Sequence, residues 1–194
     1  MGKYFGTDGF RGEANKELTA DHAYRVGRFL GWYYGECKRR NGDHTRPRIV
    51  IGKDTRKSSY MYEYSLVGGL VASGADAYLL HVTTTPSISY ITRVDRFDCG
   101  VMISASHNPY WDNGLKLVNA KGEKMEDAVI ERAEAFLDAG GWREMGQSNR
   151  ETGEREVYRL MDGYMEEDNI VELIDDEGNK LRFQHLMTLE WNGN

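Results

Sequence analysis

Gly100-Val101-Met102-Ile103-Ser104-Ala105-Ser106-His107-Asn108-Pro109 runs from an apolar stretch straight into a polar, proline-stopped one. Val101, Met102 and Ile103 show no polar alternation, as expected of a strand covered on both faces. Asn108-Pro109 breaks the run, because proline donates no hydrogen bond and restricts the residue before it. Open α/β sheets place their chemistry at the ends of such strands. Ser106, His107 and Asn108 are therefore predicted to stand on a loop at the end of a rigid, buried strand. The same residue types also make ordinary turns, so the loop alone does not decide a function.

The residues that follow sharpen the picture. Asp112-Asn113-Gly114 reads as a second tight turn, and Leu115-Lys116-Leu117-Val118 as a returning strand with its lysine beside the loop. A serine, a histidine and a lysine then cluster within a short span. A hydrolase is a poor fit: there is no G-x-S-x-G elbow. Adjacent Ser106 and His107 would also point apart in extended chain. A phosphate-carrying serine fits better, with Lys116, His107 and backbone N–H groups supplying cations and donors.

Ile103-Ser104-Ala105-Ser106-His107-Asn108-Pro109, followed by Asp112-Asn113-Gly114-Leu115-Lys116, resembles the phosphoserine loop of the α-D-phosphohexomutases. Tyr4-Phe5-Gly6-Thr7-Asp8-Gly9-Phe10-Arg11-Gly12-Glu13-Ala14-Asn15 is similar to the amino-terminal signature of the phosphoglucosamine mutase branch. Together the motifs cover roughly the first three quarters of the chain. The resemblance implies interconversion of glucosamine 6-phosphate and glucosamine 1-phosphate, on the route to UDP-N-acetylglucosamine. A phosphoglucomutase or phosphomannomutase is the alternative. It implies Ser106 as phosphoryl carrier and, through its phosphate, as one ligand of Mg²⁺. Lys116 becomes an acid/base or charge-stabilising group, with His107 and Asn108 shaping the loop. Thr7 and Arg11 are carried over as phosphate or substrate contacts, and Arg56 as a residue facing the phosphate. A bisphosphorylated hexosamine or hexose is the implied activator.

Composition agrees with a soluble enzyme domain. Of 194 residues, 40% are hydrophobic and 29% charged, ordinary values for a globular protein. Two cysteines, Cys37 and Cys99, form no C-x-x-C pair, so a reducing cytoplasm is expected. The start has no apolar signal core and no run approaches a membrane span. The net charge of −6 is unevenly spread. Residues 1–150 carry 21 Lys+Arg against 19 Asp+Glu, whereas residues 151–194 carry 4 against 12. Two such balances suggest two designs. Neither half holds a basic patch suited to nucleic acid.

The intervening chain alternates helix and strand. Gly6-Thr7-Asp8-Gly9-Phe10-Arg11-Gly12 reads as a glycine-punctuated loop that comes close to an anion, with Arg11 as the fork. Thr19 is the expected N-cap of a helix whose Gly27, Gly31 and Gly35 let it pack closely on a sheet. Arg48-Ile49-Val50-Ile51-Gly52 is a short buried strand, delivering Lys53-Asp54-Thr55-Arg56 as a charged loop to the edge where Ser106 lies. Ser58-Ser59 is expected to cap a second helix, stopped by Gly74. A strand from Asp76, a short helix begun by Thr83-Thr84-Thr85-Pro86-Ser87 with proline in its first turn, and a helix with Ile130, Ala133, Phe136 and Leu137 on one stripe complete the set. The predicted fold is a three-layer α/β/α unit with a mixed, mostly parallel sheet over residues 1–146. Residues 147–168 are assigned to a linker or helix, and 169–194 to an acidic β-hairpin or meander.

That tail departs from the family pattern. The resemblance implies three further domains, the second bearing an Asp-Gly-Asp-x-Asp-Arg loop that holds the metal. No such motif occurs here. Asp175-Asp176-Glu177-Gly178 reads as a hairpin turn between 170–174 and 181–183, with a third strand at 186–191, and it lacks calcium-loop spacing. The isolated chain is therefore expected to have an incomplete metal site and little activity. A non-catalytic role is the alternative, through self-association on the face that a second domain would cover.

Overall fold

The computed structural model describes residues 2–139, 170–174 and 180–184. The chain divides into two units, 1–153 and 154–194. In the second, Ile170–Ile174 and Lys180–Gln184 form an antiparallel pair. The expected strand at 186–191 and the linker at 147–168 lie outside the described residues.

The first unit is a six-stranded sheet between helices. In chain order it runs β1 (Phe5–Gly6), β2 (Gly9–Glu13), α1 (Ala20–Arg40), β3 (Arg48–Lys53), α2 (Ser59–Val71), β4 (Asp76–Val82), α3 (Thr85–Val94), β5 (Cys99–Ile103), β6 (Asp112–Asn119) and α4 (Asp127–Ala139). The spatial order is β1-β2-β6-β5-β3-β4. β3 pairs in parallel with β4 and β5, and the other three pairings are antiparallel. The sheet is thus mixed, with β2, β3, β4 and β5 sharing one direction.

Residue patterning explains the layers. Ile49 and Ile51 of β3 pack with Phe29, Leu30, Tyr62 and Leu66, so α1 and α2 cover one face, joined by Ala133 and Leu137 of α4. Val50, Met102 and Val118 pack with Ile88 of α3 on the other face. All five residues of β5 are buried, as the apolar run from Val101 to Ile103 requires. After β4 the chain returns across β3 to form β5. The sheet therefore reverses its winding between β3 and β5, and in open α/β sheets the crevice beyond the strand ends at such a point is where ligands sit.

Several local expectations are corrected. The amino-terminal glycine stretch is a tight hairpin, with Phe5 opposite Phe10 and Gly6 opposite Gly9. Gly9 has a φ of 96°, which a side chain adopts only with strain, and it backs onto the main chain of Leu115. Asp112-Asn113-Gly114 is not a turn but the start of β6, zipped to β2 with Gly114 opposite Arg11. Gly27 and Gly31 face α2 rather than the sheet: a Cβ on Gly27 would meet the carbonyl of Leu66, and one on Gly31 would lie 3.1 Å from the carbonyl of Leu70. Thr19 does cap α1, its hydroxyl accepting from the N–H of His22 at 3.3 Å. Ser58 makes no capping bond to α2: its backbone is already helical, φ −65° and ψ −19°, and its hydroxyl accepts from Asn113 Nδ2.

Candidate functional site

The site is built where β3 and β5 end. β5 stops at Ile103, and the next residues fold back on themselves. The N–H of Ser104 donates to Gly114 O at 2.9 Å, and that of Asn108 to Ala105 O at 3.2 Å. The N–H of Ser106 donates to Ser104 Oγ at 3.0 Å. Ser106 itself takes a left-handed backbone, φ 59°, and its side chain is exposed, as is that of His107. Backbone strain of this kind collects at functional sites. Asn108 Nδ2 donates to Asp112 Oδ2 at 2.9 Å, closing the loop onto the first residue of β6. Tyr110 and Trp111, both exposed, stand edge to face at its tip.

The loop after β3 supports it from the side. The N–H of Asp54 donates to Ile103 O at 3.0 Å, continuing the parallel ladder one step past the strand. Asp54 then accepts from three groups: the backbone N–H of Arg56 at 3.1 Å, Arg56 Nε at 2.9 Å and Ser59 Oγ at 3.0 Å. Asn113, fully buried, donates to Ser58 Oγ at 2.9 Å and Ser59 Oγ at 3.0 Å, tying β6 to the start of α2. Arg56 does not present its fork to solvent as a phosphate contact would. Its guanidinium lies on the carbonyls of Pro109 at 2.7 Å, Ser106 at 2.9 Å and Asn108 at 3.0 Å.

The cations come from the other side, on β2 and β6. A Cβ on Gly114 would lie 2.7 Å from Ser104 O and 3.0 Å from Arg11 Cγ, so only glycine lets the arginine stem pass the base of the serine loop. Arg11 pairs with Asp8 at 3.4 Å, while its buried Nε has no hydrogen-bond partner. Lys116 sits opposite Met102 of β5. Burial, and after it the charge of Arg11, holds the Lys116 ammonium below its ordinary pKa, with Asp8 and Asp54 pulling the other way. Two cations on one face of neighbouring strands, one of them with an unpaired buried donor, suit an anion.

Thr7 and Asp8, in the hairpin turn, line a cleft of about 600 Å³ with Lys116, Lys124 and Glu131. The structure thus brings Ser106, Asn108 and Arg56 into one bonded loop system. Arg11 reaches its base, Lys116 shares the sheet face with Arg11, and Thr7 shares the cleft with Lys116. Among the described residues no three His, Cys, Asp or Glu side chains converge on a common point.

Lys53 is the residue that sequence reading misplaced. It is not part of an exposed charged loop but the last residue of β3, fully buried and salt-bridged to Glu63, whose side chain is also fully buried. The signal was present: Ser59, Tyr62, Glu63 and Leu66 follow helical spacing, which puts Glu63 on the apolar stripe of α2. Ser104 and Ser59, both structural to the site, have no such signal, since each acts through hydroxyl bonds that only the folded chain creates.

The family model for phosphoglucomutase/phosphomannomutase, alpha/beta/alpha domain I, matches residues 2–144. The phosphoglucosamine mutase of Lachnospira eligens is 70% identical over 138 residues, which make up 71% of this chain and 30% of that protein. That of Lachnoclostridium phytofermentans is 65% identical over the same length, 71% of this chain and 29% of its own. Among solved structures, a phosphoglucomutase/phosphomannomutase family protein from Burkholderia thailandensis superposes with a TM-score of 0.58 at 27% identity, covering 70% of this chain and 30% of that one. The chain spans about 30% of the length of the curated relatives it matches.

Proposed function

The chain belongs to the phosphoglucomutase/phosphomannomutase family through its α/β/α domain I, and on that premise we propose that Ser106 carries a phosphoryl group in the interconversion of glucosamine 6-phosphate and glucosamine 1-phosphate. The observation that supports this most directly is the placing of Ser106. It is held in a left-handed turn at the winding reversal of the sheet, with Lys116 on the adjoining β6 and Arg11 on β2 beyond it. The preference for glucosamine over glucose or mannose follows the relatives named above and the amino-terminal signature.

The chemistry asked of these residues is in-line phosphoryl exchange. A sugar hydroxyl attacks the phosphorus of phosphorylated Ser106 and gives up its proton, the P–Oγ bond breaks, and Oγ departs with the bonding electron pair and takes up a proton. The bisphosphorylated sugar then turns, and its other phosphoryl group returns to Oγ. Such a reaction gains from positioning and from neutralising charge, with little covalent work for the protein. Arg11 supplies a permanent cation beside the loop. Lys116, its ammonium destabilised by burial and by Arg11, is the group disposed to take or give the sugar proton. A phosphoryl group on Ser106 adds about −1.5 to −2 charge, which these two cations answer.

Mg²⁺ would bind through that phosphate and lower the charge of the transferring group. The described residues do not form a carboxylate cage for it, so no step is assigned to the metal. Little turnover is expected from the 194-residue chain alone. Exposing the chain to a hexosamine or hexose 1,6-bisphosphate tests the carrier role without requiring turnover. The expected result is a mass increase of one phosphoryl group mapping to Ser106 and lost in Ser106→Ala. Labelling that persists in the alanine variant would exclude Ser106 as the carrier. Relative labelling by glucosamine, glucose and mannose bisphosphates tests the sugar.

A further inference from the structure

We infer that Arg56 is a positioning residue, which sets the shape of the serine loop from behind and does not touch the phosphosugar. Its part in catalysis rests on the phosphoserine reading above; the clamp itself rests on geometry alone.

The argument begins with the donors of the guanidinium. Nε goes to Asp54, one terminal nitrogen to Pro109 O, and the other to the carbonyls of both Ser106 and Asn108. A planar, permanently charged fork is the side chain able to gather three carbonyls and a carboxylate at once. Asp54 in turn is fixed by Ser59 and by its own N–H on Ile103 O, so the clamp is anchored to the end of β5 itself. The Arg56 side chain is only 11% exposed, leaving it little surface for a ligand.

The clamp has a directional consequence. All peptide bonds of the described residues are trans, so each N–H points opposite to the carbonyl of the same unit. Drawing the carbonyls of Ser106 and Pro109 to Arg56 turns the N–H groups of His107 and Tyr110 to the other side of the loop. Those donors are then left for a phosphoryl group on Ser106. Three carbonyls pulled to one cation also hold Ser106 in its left-handed conformation, which a serine otherwise leaves readily.

The test uses the 194-residue chain with Arg56→Ala and Arg56→Lys, followed by amide hydrogen exchange. Charge-assisted hydrogen bonds are strong enough that their loss should speed local opening by roughly tenfold to a hundredfold. Exchange at Ser106, Asn108 and Asp112 is expected to accelerate by that factor in Arg56→Ala, with Val101, Met102 and Ile103 unchanged. Lysine, a single point donor, should recover only part of the protection. Unchanged loop exchange would overturn the clamp. Equal acceleration in β3 and β5 would also overturn it, by showing that Arg56 serves the fold at large. Should the alanine variant unfold, Arg56→Gln carries the same comparison. Phosphoryl transfer from a hexose bisphosphate to Ser106 is read separately. Transfer at the wild-type rate in Arg56→Ala would refute the positioning role. No transfer even in wild type would count against the phosphoserine reading while leaving the exchange result to decide the clamp.

Discussion

Replacing Lys53 by methionine removes one half of a buried ion pair, and the structure says what remains. Lys53 and Glu63 are 1% and 0% exposed, and Lys53 Nζ is the hydrogen-bond donor to Glu63 Oε2. Glu63 Oε1 has no hydrogen-bond partner, and His81 Nδ1 stands 3.6 Å from it, too far to donate well. In Lys53→Met the carboxylate is therefore stranded in the core. Breaking a buried pair from one side costs about 3–5 kcal/mol. At about 4 °C per kcal/mol for a domain of this size, the melting temperature should fall by roughly 12–20 °C. Glu63→Gln should cost less, because Lys53 Nζ also lies 3.5 Å from the centroid of the Tyr60 ring. A desolvated cation over an aromatic face recovers up to about 2 kcal/mol. Replacing both, in Lys53→Met/Glu63→Leu, removes both charges and leaves apolar groups of similar volume. That double variant should lie within about 2 kcal/mol of wild type. Urea unfolding of the wild type, Lys53→Met, Glu63→Leu and the double variant, followed by tryptophan fluorescence, gives the cycle. Additive losses, with the double variant near the sum of the singles, would refute the claim that each charge is held mainly by the other.

Three further outcomes follow from other parts of the fold. His22 is held below its ordinary pKa by burial first, helped by Arg25 and opposed by Asp21, and its Nδ1 accepts the N–H of Thr19 at 3.2 Å. The folded protein thus binds this proton less readily than the unfolded chain, so the contribution is whole above about pH 6.5 and lost as pH falls through the lowered value. The pH slope of the urea midpoint between about pH 7 and pH 5 should flatten in His22→Gln, and an unchanged slope would refute this. Gly27→Ala should cost about 1–3 kcal/mol, since its methyl meets the main chain of α2. Gly35→Ala, whose methyl finds nothing nearer than 3.4 Å, should instead gain about 0.5–1 kcal/mol, and thermal unfolding separates the two. Lys116, its ammonium disfavoured by burial and by Arg11, should acylate with a rate-against-pH midpoint below the ordinary lysine value of about 10.4. Peptide mass spectrometry across pH checks this, and a midpoint at or above that value would contradict it.

Much of the fold was legible because it rests on local signals. The unbroken apolar run of Val101 to Ile103 announced a strand buried on both faces, and the Thr19 cap and the proline-bearing start from Thr83 to Ser87 announced two helices. Asn113-Gly114 misled, because the pair that favours turns is used here inside a strand. Asn113 spends its amide on Ser58 and Ser59, and Gly114 lets Arg11 pass. Lys53 misled for a related reason: a charge after a strand reads as solvated until its partner, ten residues on, is folded against it.

Ser106, His107, Asn108, Thr7, Arg11 and Lys116 could be proposed from the sequence, since the charges and donors a phosphate needs are properties of the side chains themselves. The direction in which Arg56 points could not. Whether a guanidinium takes a phosphate or a carbonyl depends on which acceptors arrive within hydrogen-bond reach. The carbonyls of Ser106, Asn108 and Pro109 are some fifty residues away in the chain. They meet Arg56 only because β3 and β5 are paired in parallel and end together. Sequence alone determined which groups are available and that a buried strand presents a serine at its end. The parallel register of two central strands decided that Arg56 meets the loop carbonyls and holds the loop in place.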